Sequence, residues 1–343
     1  LWDSRQIVVF MVRVFSIMRL GFFAAASVGC ILGAVSAGEA ATLGATDLLR
    51  QFNLVTKGDV TGSSGFHVDG RALVGGDYKV QAGSVVYMKG KGDASDHDDF
   101  IVKGRVESQV HVNNGGSAAA GQGLDKLNMN GGGSKSAYAE GSAPAGYVQT
   151  LSNYAATLGS MAASSSGVVR QGSVHDRTNT YSISGVADGI GVLSLTEADI
   201  RADRDFRFDL GKDVDWVVVN VRATQTDKTF RLGSTFKAQD RKTASKVVWN
   251  FIGFDDVIFD AMFAAGAILA DGSRVQTTSG NIEGSVFADR FHGLSELHFT
   301  GLGEGRLPGD EVRQPAPVPL PAGMPLLLSG FGLLAWAHRR KRA

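Results

Sequence analysis

His67-Val68-Asp69-Gly70-Arg71-Ala72-Leu73-Val74-Gly75-Gly76-Asp77 is the stretch on which the fold turns. It climbs into a short aliphatic run and then stops at a Gly-Gly-Asp corner. Such a run, bounded by residues that tolerate sharp backbone reversal, reads as one β-strand ending in a tight turn. The corner at Ser279-Gly280-Asn281 has the same character. Glycine at such places permits positive φ or close backbone approach, so Gly70, Gly75, Gly76 and Gly284 read as structural positions.

Working outward, similar runs recur at 85–88, 100–102, 106–112, 191–195, 205–210, 216–221, 247–252 and 296–299. Each is β-branched or aromatic, and many alternate apolar with polar residues, as a sheet with one buried face requires. Two segments read as helix. Residues 46–52 form a short one, with Asp47 as its expected N-cap and Leu48, Leu49 and Phe52 as its apolar side. Residues 147–161 form a longer one, because Tyr147, Leu151, Tyr154, Leu158 and Met161 recur at spacings of three and four. Residues 113–146, rich in Gly, Ser and Ala, read as a flexible insertion. The expected fold is mainly β: an irregular β-solenoid with one amphipathic helix packed alongside. No exact repeat period is visible.

The chain has 343 residues, 43% of them hydrophobic, and a formal net charge of +0. It can therefore build a core, and it offers no electrostatic case for binding nucleic acid. Glycine accounts for 45 residues, nearly twice the usual ~7%. The single cysteine, Cys30, lies in an N-terminal apolar run, so the body relies on burial and backbone pairing rather than disulfides.

Both ends read as processing signals. Residues 18–37 resemble a secretory signal peptide: Arg19, then an uncharged run, then Val35-Ser36-Ala37 with small residues for signal peptidase. Met11 and Met18 are candidate starts. At the other end, a Pro-rich spacer from Pro315 leads to an apolar run at 324–337 and a basic tail, Arg339-Arg340-Lys341-Arg342. The apolar run has 14 residues, short of the ~20 that span a bilayer comfortably. The basic tail would keep the C-terminus cytoplasmic. Val318-Pro319-Leu320-Pro321-Ala322, followed by helix and basic tail, resembles the VPLPA variety of PEP-CTERM sorting signal. That resemblance implies recognition by an exosortase-type membrane protease.

The body carries a second resemblance. Phe52-Asn53-Leu54 with Gly58-Asp59, then Val68-Asp69-Gly70-Arg71 through Gly75-Gly76, is similar to the start of the choice-of-anchor A family, an ice-binding-like adhesive domain. Val248-Trp249-Asn250-Phe251, Ala267-Ile268-Leu269-Ala270, the Gly280–Gly284 segment and Glu296-Leu297-His298 match its later motifs in order; Asp271 stands where the family has Pro. The resemblance implies a solenoid with a helix alongside, carried on interchangeable anchoring tails.

The expected organisation is a pre-segment and signal peptide at 1–41 and one β-rich domain at 42–307. A Pro-rich spacer at 308–323 and a short transmembrane helix with basic tail at 324–343 follow. Few residues suggest chemistry. Asp93, Asp96, Asp98 and Asp99, with His97 among them, read as a solvated acidic turn, with oxygen-ligated Ca²⁺ as the alternative. Glu296 and His298 read as structural hydrogen-bonding partners; with His292 they lack a third zinc ligand at sensible spacing. No H-E-x-x-H, G-x-S-x-G or P-loop is present. Thr is too scattered for an ice-binding ladder. The expected function is a non-enzymatic, adhesin-like or structural protein of the bacterial surface or matrix, contacting extracellular polysaccharide or a surface protein. A polysaccharide lyase or hydrolase is the alternative, with Arg201, Arg204 and Arg207 as its only basic candidates.

Overall fold

A computed structural model describes residues 43–173, 178–200, 205–233, 240–310 and 340. The signal segment, the VPLPA motif, the apolar run, Arg339, Lys341, Arg342, Arg201 and Arg204 lie outside the described residues. Among the described residues, no helix is long and apolar enough to cross a membrane.

The chain opens with helix α1 (Ala45–Gln51) and passes directly into β1 (Phe52–Thr56) and β2 (Val60–Gly62). There follow β3 (Arg71–Val74), β4 (Tyr78–Val80), β5 (Ser84–Val86), β6 (Phe100–Arg105), β7 (Val110–Val112), β8 (Ala118–Gln122), β9 (Leu127–Met129) and β10 (Lys135–Ala137). Helix α2 (Tyr147–Ser160) separates these from the second half. That half comprises β11 (Val168–Ser173), β12 (Thr178–Ile183), β13 (Ile190–Thr196), β14 (Asp205–Leu210), β15 (Trp216–Arg222), β16 (Thr229–Leu232), the one-turn α3 (Arg241–Ala244), β17 (Val247–Ile252), β18 (Asp256–Phe259), β19 (Phe263–Thr277), β20 (Ile282–Gly293) and β21 (Leu297–His298).

The main sheet runs β10-β8-β6-β3-β1-β20-β19-β17-β15-β13, and every neighbouring pair on this path is parallel. Chain order and spatial order differ in one telling way. The first half starts in the middle of the sheet and winds outward to β10. The second half starts at the far edge and winds back to β20, which closes on β1 through Leu54↔Val286, Val55↔Phe287 and Thr56↔Ala288.

Successive strands of the main sheet are separated by excursions that pair with one another too. β2 pairs with β4 and with the distal part of β20, and β16, β18 and the distal part of β19 extend that strip. β5, β7 and β9 form a third parallel strip, continued by the His67↔Val85 and Val68↔Leu297 bridges. Register gives the lap length: Leu54 lies beside Ala72, Phe100 beside Ala118 and Ala118 beside Lys135, steps of 18, 18 and 17 residues.

Side chains alternate across the main sheet, as strands require. Leu54, Ala72, Phe100, Val219, Trp249 and Ile268 point into the interior between the strips. Val55, Leu73, Ile101, Val218, Val248, Leu269 and Phe287 point the other way and are covered by Leu48 and Leu49 of α1 and by Tyr147, Leu151, Tyr154 and Leu158 of α2. The expected helical stripe is therefore borne out as a packing face. Burial on both sides explains near-continuous apolar runs such as Trp216-Val217-Val218-Val219. Two buried asparagines fasten α2 to the sheet: Asn220 Nδ2 donates to Leu158 O at 2.7 Å and Asn250 Nδ2 to Ala155 O at 3.0 Å.

Two expectations need correction. Residues 113–146 are not an open insertion, because β8, β9 and β10 lie within them. Ala118, Ala119 and Ala120 are buried, and the neighbouring glycines let laps approach: a Cβ at Gly133 would stand 1.9 Å from Gly116 O. Asp47 does not cap α1; its side chain makes no cap hydrogen bond there. The cap is Asp310, whose carboxylate accepts from Ala45 N at 3.1 Å and Thr46 N at 2.7 Å. Gly75 is fixed by close approach, since a Cβ there would stand 2.2 Å from Lys57 O, whereas Gly284 has φ +149°.

Candidate functional site

The lap between β3 and β6 is longer than its neighbours, with Ala72 beside Phe100. The extra residues, 87–99, follow β5; Lys89 N still donates to Asp69 O at 3.0 Å and Lys91 bridges to Gly70 before the chain returns at β6. They and the turn before β8 enclose a cleft of about 550 Å³. Its walls are Arg71, Tyr87, residues 95–99, residues 114–117, Gly141 and Ser142.

The cleft is braced from inside the ladder. Arg71 opens β3, and its side chain is only 9% exposed. Its Nε lies 2.8 Å from Asp99 Oδ1, Nη1 donates to Asp93 O at 2.6 Å, and its guanidinium sits 5.4 Å from the centre of the Tyr87 ring. Asp99 Oδ2 accepts from Ser117 N at 2.8 Å, tying the excursion to the lap that follows. Tyr87 has φ +56°, a conformation that a bulky residue adopts only when its surroundings hold it. Asn114 supplies part of that hold, its Nδ2 donating to Tyr87 O and Met88 O, both at 2.8 Å. Gly116 leaves room for the ring, because a Cβ there would stand 2.6 Å from Tyr87 Cδ1. Burial, and then the Asp99 carboxylate, raise the Tyr87 phenol above its ordinary pKa.

The charges divide into spent and unspent. Arg71 and Asp99 form an ion pair with each other. Asp96 and Asp98 line the same cleft and have no hydrogen-bond or ion-pair partner among the described residues. Among the described residues, no group of three His, Cys, Asp or Glu is placed to hold a metal ion. The Ca²⁺ reading of Asp93, Asp96, Asp98 and Asp99 therefore finds no coordination cage. Asp93 presents its backbone carbonyl to Arg71, and Asp99 is engaged by Arg71 and Ser117.

Residues 45–299 match the family described as "Putative Ice-binding-like adhesive domain". The chain belongs to this family. The match begins at α1 and ends one residue beyond β21, so it spans both halves of the ladder. Among solved structures, the crystal structure of an ice binding protein from an Antarctic Biological Consortium is similar at 11% identity, over 76% of this chain and 90% of that one, with a TM-score of 0.30. No curated protein matches.

In this ice-binding-like adhesive domain, the Glu296-Leu297-His298 motif lies at the seam between the halves. His298 Nε2 is 2.6 Å from Glu296 Oε2, and its Nδ1 is 3.4 Å from Glu283 Oε1. Glu283, nearly buried, also receives Arg241 Nε and Nη2, both at 2.7 Å. Arg241, burial and His298 act on the Glu283 carboxyl together, and the net effect holds it below its ordinary range. Asn53 Nδ2 completes the seam by donating to Gly284 O at 2.7 Å. The expected hydrogen-bonding role for Glu296 and His298 matches this geometry. His292 lies apart from it, 2.8 Å from Thr61 Oγ1. Sequence reading missed Arg71, Tyr87, Asn114, Ser117 and Ser142 as residues that share a cleft with the acidic run. Only the lap register brings them together.

Proposed function

We propose that this chain is a non-enzymatic adhesive module displayed at a bacterial cell surface, exported by its N-terminal segment and sorted by the VPLPA tail through an exosortase-type protease. The observation that carries this reading is the family match across residues 45–299. We read the main sheet and its parallel side strips as an irregular solenoid, in which β5, β7 and β9 supply a third strip in the first half and β11, β12 and β14 a separate sheet in the second. Its sheet faces suit contact with extended polymers or with other surface proteins.

Ice is not the ligand this reading favours. One row across β4, β2, β20, β19, β18 and β16 places Lys79, Thr61, His292, Gln276, Ile258 and Arg231 at successive paired positions. A charged, mixed row lacks the regular hydroxyl spacing that a flat crystal surface demands. The hydrogen-bonded pairing of Glu296 with His298 at the seam likewise supports a structural role for the motif rather than acid–base chemistry.

Two measurements test the proposal. Attachment of cells lacking the protein to matrix-coated surfaces is expected to fall and to recover on complementation; unchanged attachment refutes the adhesive role. Fractionation of the tagged chain with and without residues 315–343 is expected to show surface retention only with the tail. Equal retention refutes the sorting role.

A further inference from the structure

We infer that the cleft bounded by residues 87–99 is a carbohydrate subsite for neutral or amino sugars; this rests on the adhesive reading and gives it a place. Residues 89–94 of the excursion are exposed and form no strand, and they touch the ladder through the isolated Lys91–Gly70 bridge. Yet the excursion is held firmly, by the buried Arg71, the Asp99–Ser117 link and the Asn114 hydrogen bonds to Tyr87 and Met88. A surface loop that buries little but is braced at three points is organised for what it faces.

What it faces is almost wholly polar. Carboxylates, hydroxyls, an amide and an imidazole line a space of about 550 Å³, within the ~300–1,000 Å³ of ordinary ligand clefts. Those clefts are mostly apolar, and this one is not, so its complement is a molecule covered in hydroxyl groups. Asp96 and Asp98 are acceptors without donors among the described residues, and sugar hydroxyls are donors. Charge sets the class further. Arg71 is already engaged by Asp99, which leaves the cleft net negative. Uronate and sulfated polymers are thereby disfavoured, and neutral or amine-bearing sugars are accepted.

The test uses the full chain, purified in mild detergent and titrated calorimetrically against three oligosaccharide sets: neutral glucans, glucosamine oligomers and uronate oligomers. A basic peptide is the fourth arm. Binding is expected from a neutral or amino set only, weakened at least about tenfold by Asp96→Ala with Asp98→Ala at unchanged melting temperature. Asp98→Asn, which keeps the shape and an acceptor, is expected to weaken it less. Affinity unchanged in the double variant, preference for uronates or for the basic peptide, or no binding to any neutral or amino sugar each overturns the assignment. Cell attachment separates the two proposals. If the double variant attaches as wild type does, the cleft assignment falls and the adhesive reading stands. If deleting the whole protein leaves attachment unchanged, the adhesive reading falls, and the titration alone decides the cleft.

Discussion

The two halves of the ladder solve one packing problem with different side chains. From β1 to β10 the laps are near 18 residues wherever no excursion intervenes, and the interior narrows to Ala118 and Ala120 at the outer edge. From β13 to β20 the first steps are wider, with Gly191 beside Val217 and Val217 beside Val247, before Ala267 beside Ser285 restores 18. That wider interior is filled by rings. Phe206, Phe208, Phe251 and Phe263 all lie within 6.2 Å of Trp249, centre to centre. Parallel ladder pairing fixes the spacing of strands, but the cross-section is set by what fills it. The outer laps of the first half are limited by backbone approach; the second half has such approaches too, at Gly266 and Gly280, and adds aromatic volume to them.

The largest break in this comparison comes from removing the aromatic centre. Trp249→Ala is expected to cost ~3–5 kcal/mol, the range for emptying a large buried ring site, read as a shift in the denaturation midpoint. Trp249→Phe is expected to cost clearly less. It keeps most of the ring contacts and removes an indole Nε1 that is buried without a hydrogen-bond partner among the described residues. Equal losses for the two substitutions would mean that ring volume does not set the second half's interior.

The matching break in the first half adds an atom. A Cβ at Gly133 would meet Gly116 O at 1.9 Å, and one at Gly131 would meet Gly115 N at 2.7 Å. Gly133→Ala is expected to cost ~1–3 kcal/mol by overpacking, with thermal melting as the readout. A silent Gly133→Ala would show that these laps do not limit one another.

The same contrast explains what could be read from the amino acids. The β15 and β17 runs are β-branched and aromatic, and the Tyr147–Leu158 stripe has helical spacing, so both announce themselves. Ala118-Ala119-Ala120 has no such signature. It becomes a strand because β6 and β10 flank it. The excursion at 87–99 stretches one step to 28 residues, Ala72 beside Phe100, and so hides the 18-residue rhythm. The cleft was half legible: its carboxylates stood out as a run, but Arg71 and Ser117 join them only through the register of β3, β6 and β8.

Asp310 offers a smaller test, because it joins the far end of the described body to its beginning. Its carboxylate caps α1 across 264 residues of chain, where the positive end of the helix favours an anion. Asp310→Ala is expected to cost ~0.5–2 kcal/mol, the usual value of a lost cap. Asp47→Ala, which removes no cap bond, is expected to cost less. Melting temperatures compare the two, and equal losses would remove Asp310 from the cap.

The smallest effect concerns the seam, where the halves meet at β1 and β20. Glu283 is nearly buried there and is held ionised by Arg241 and His298, so its folded pKa lies below the ordinary 4.5. A carboxyl depressed on folding binds fewer protons in the native state than in the unfolded chain. Its contribution is therefore fully present above about pH 4.5 and drains away as pH falls through the lower folded value. Glu283→Gln is expected to lower stability at neutral pH, where the Arg241 pair is lost, and to flatten the decline in melting temperature below pH 4.5. A variant with the wild-type acid slope would place the proton-linked loss elsewhere, and the seam would then owe its closure to the Leu54–Val286 ladder and the Asn53 bonds rather than to charge.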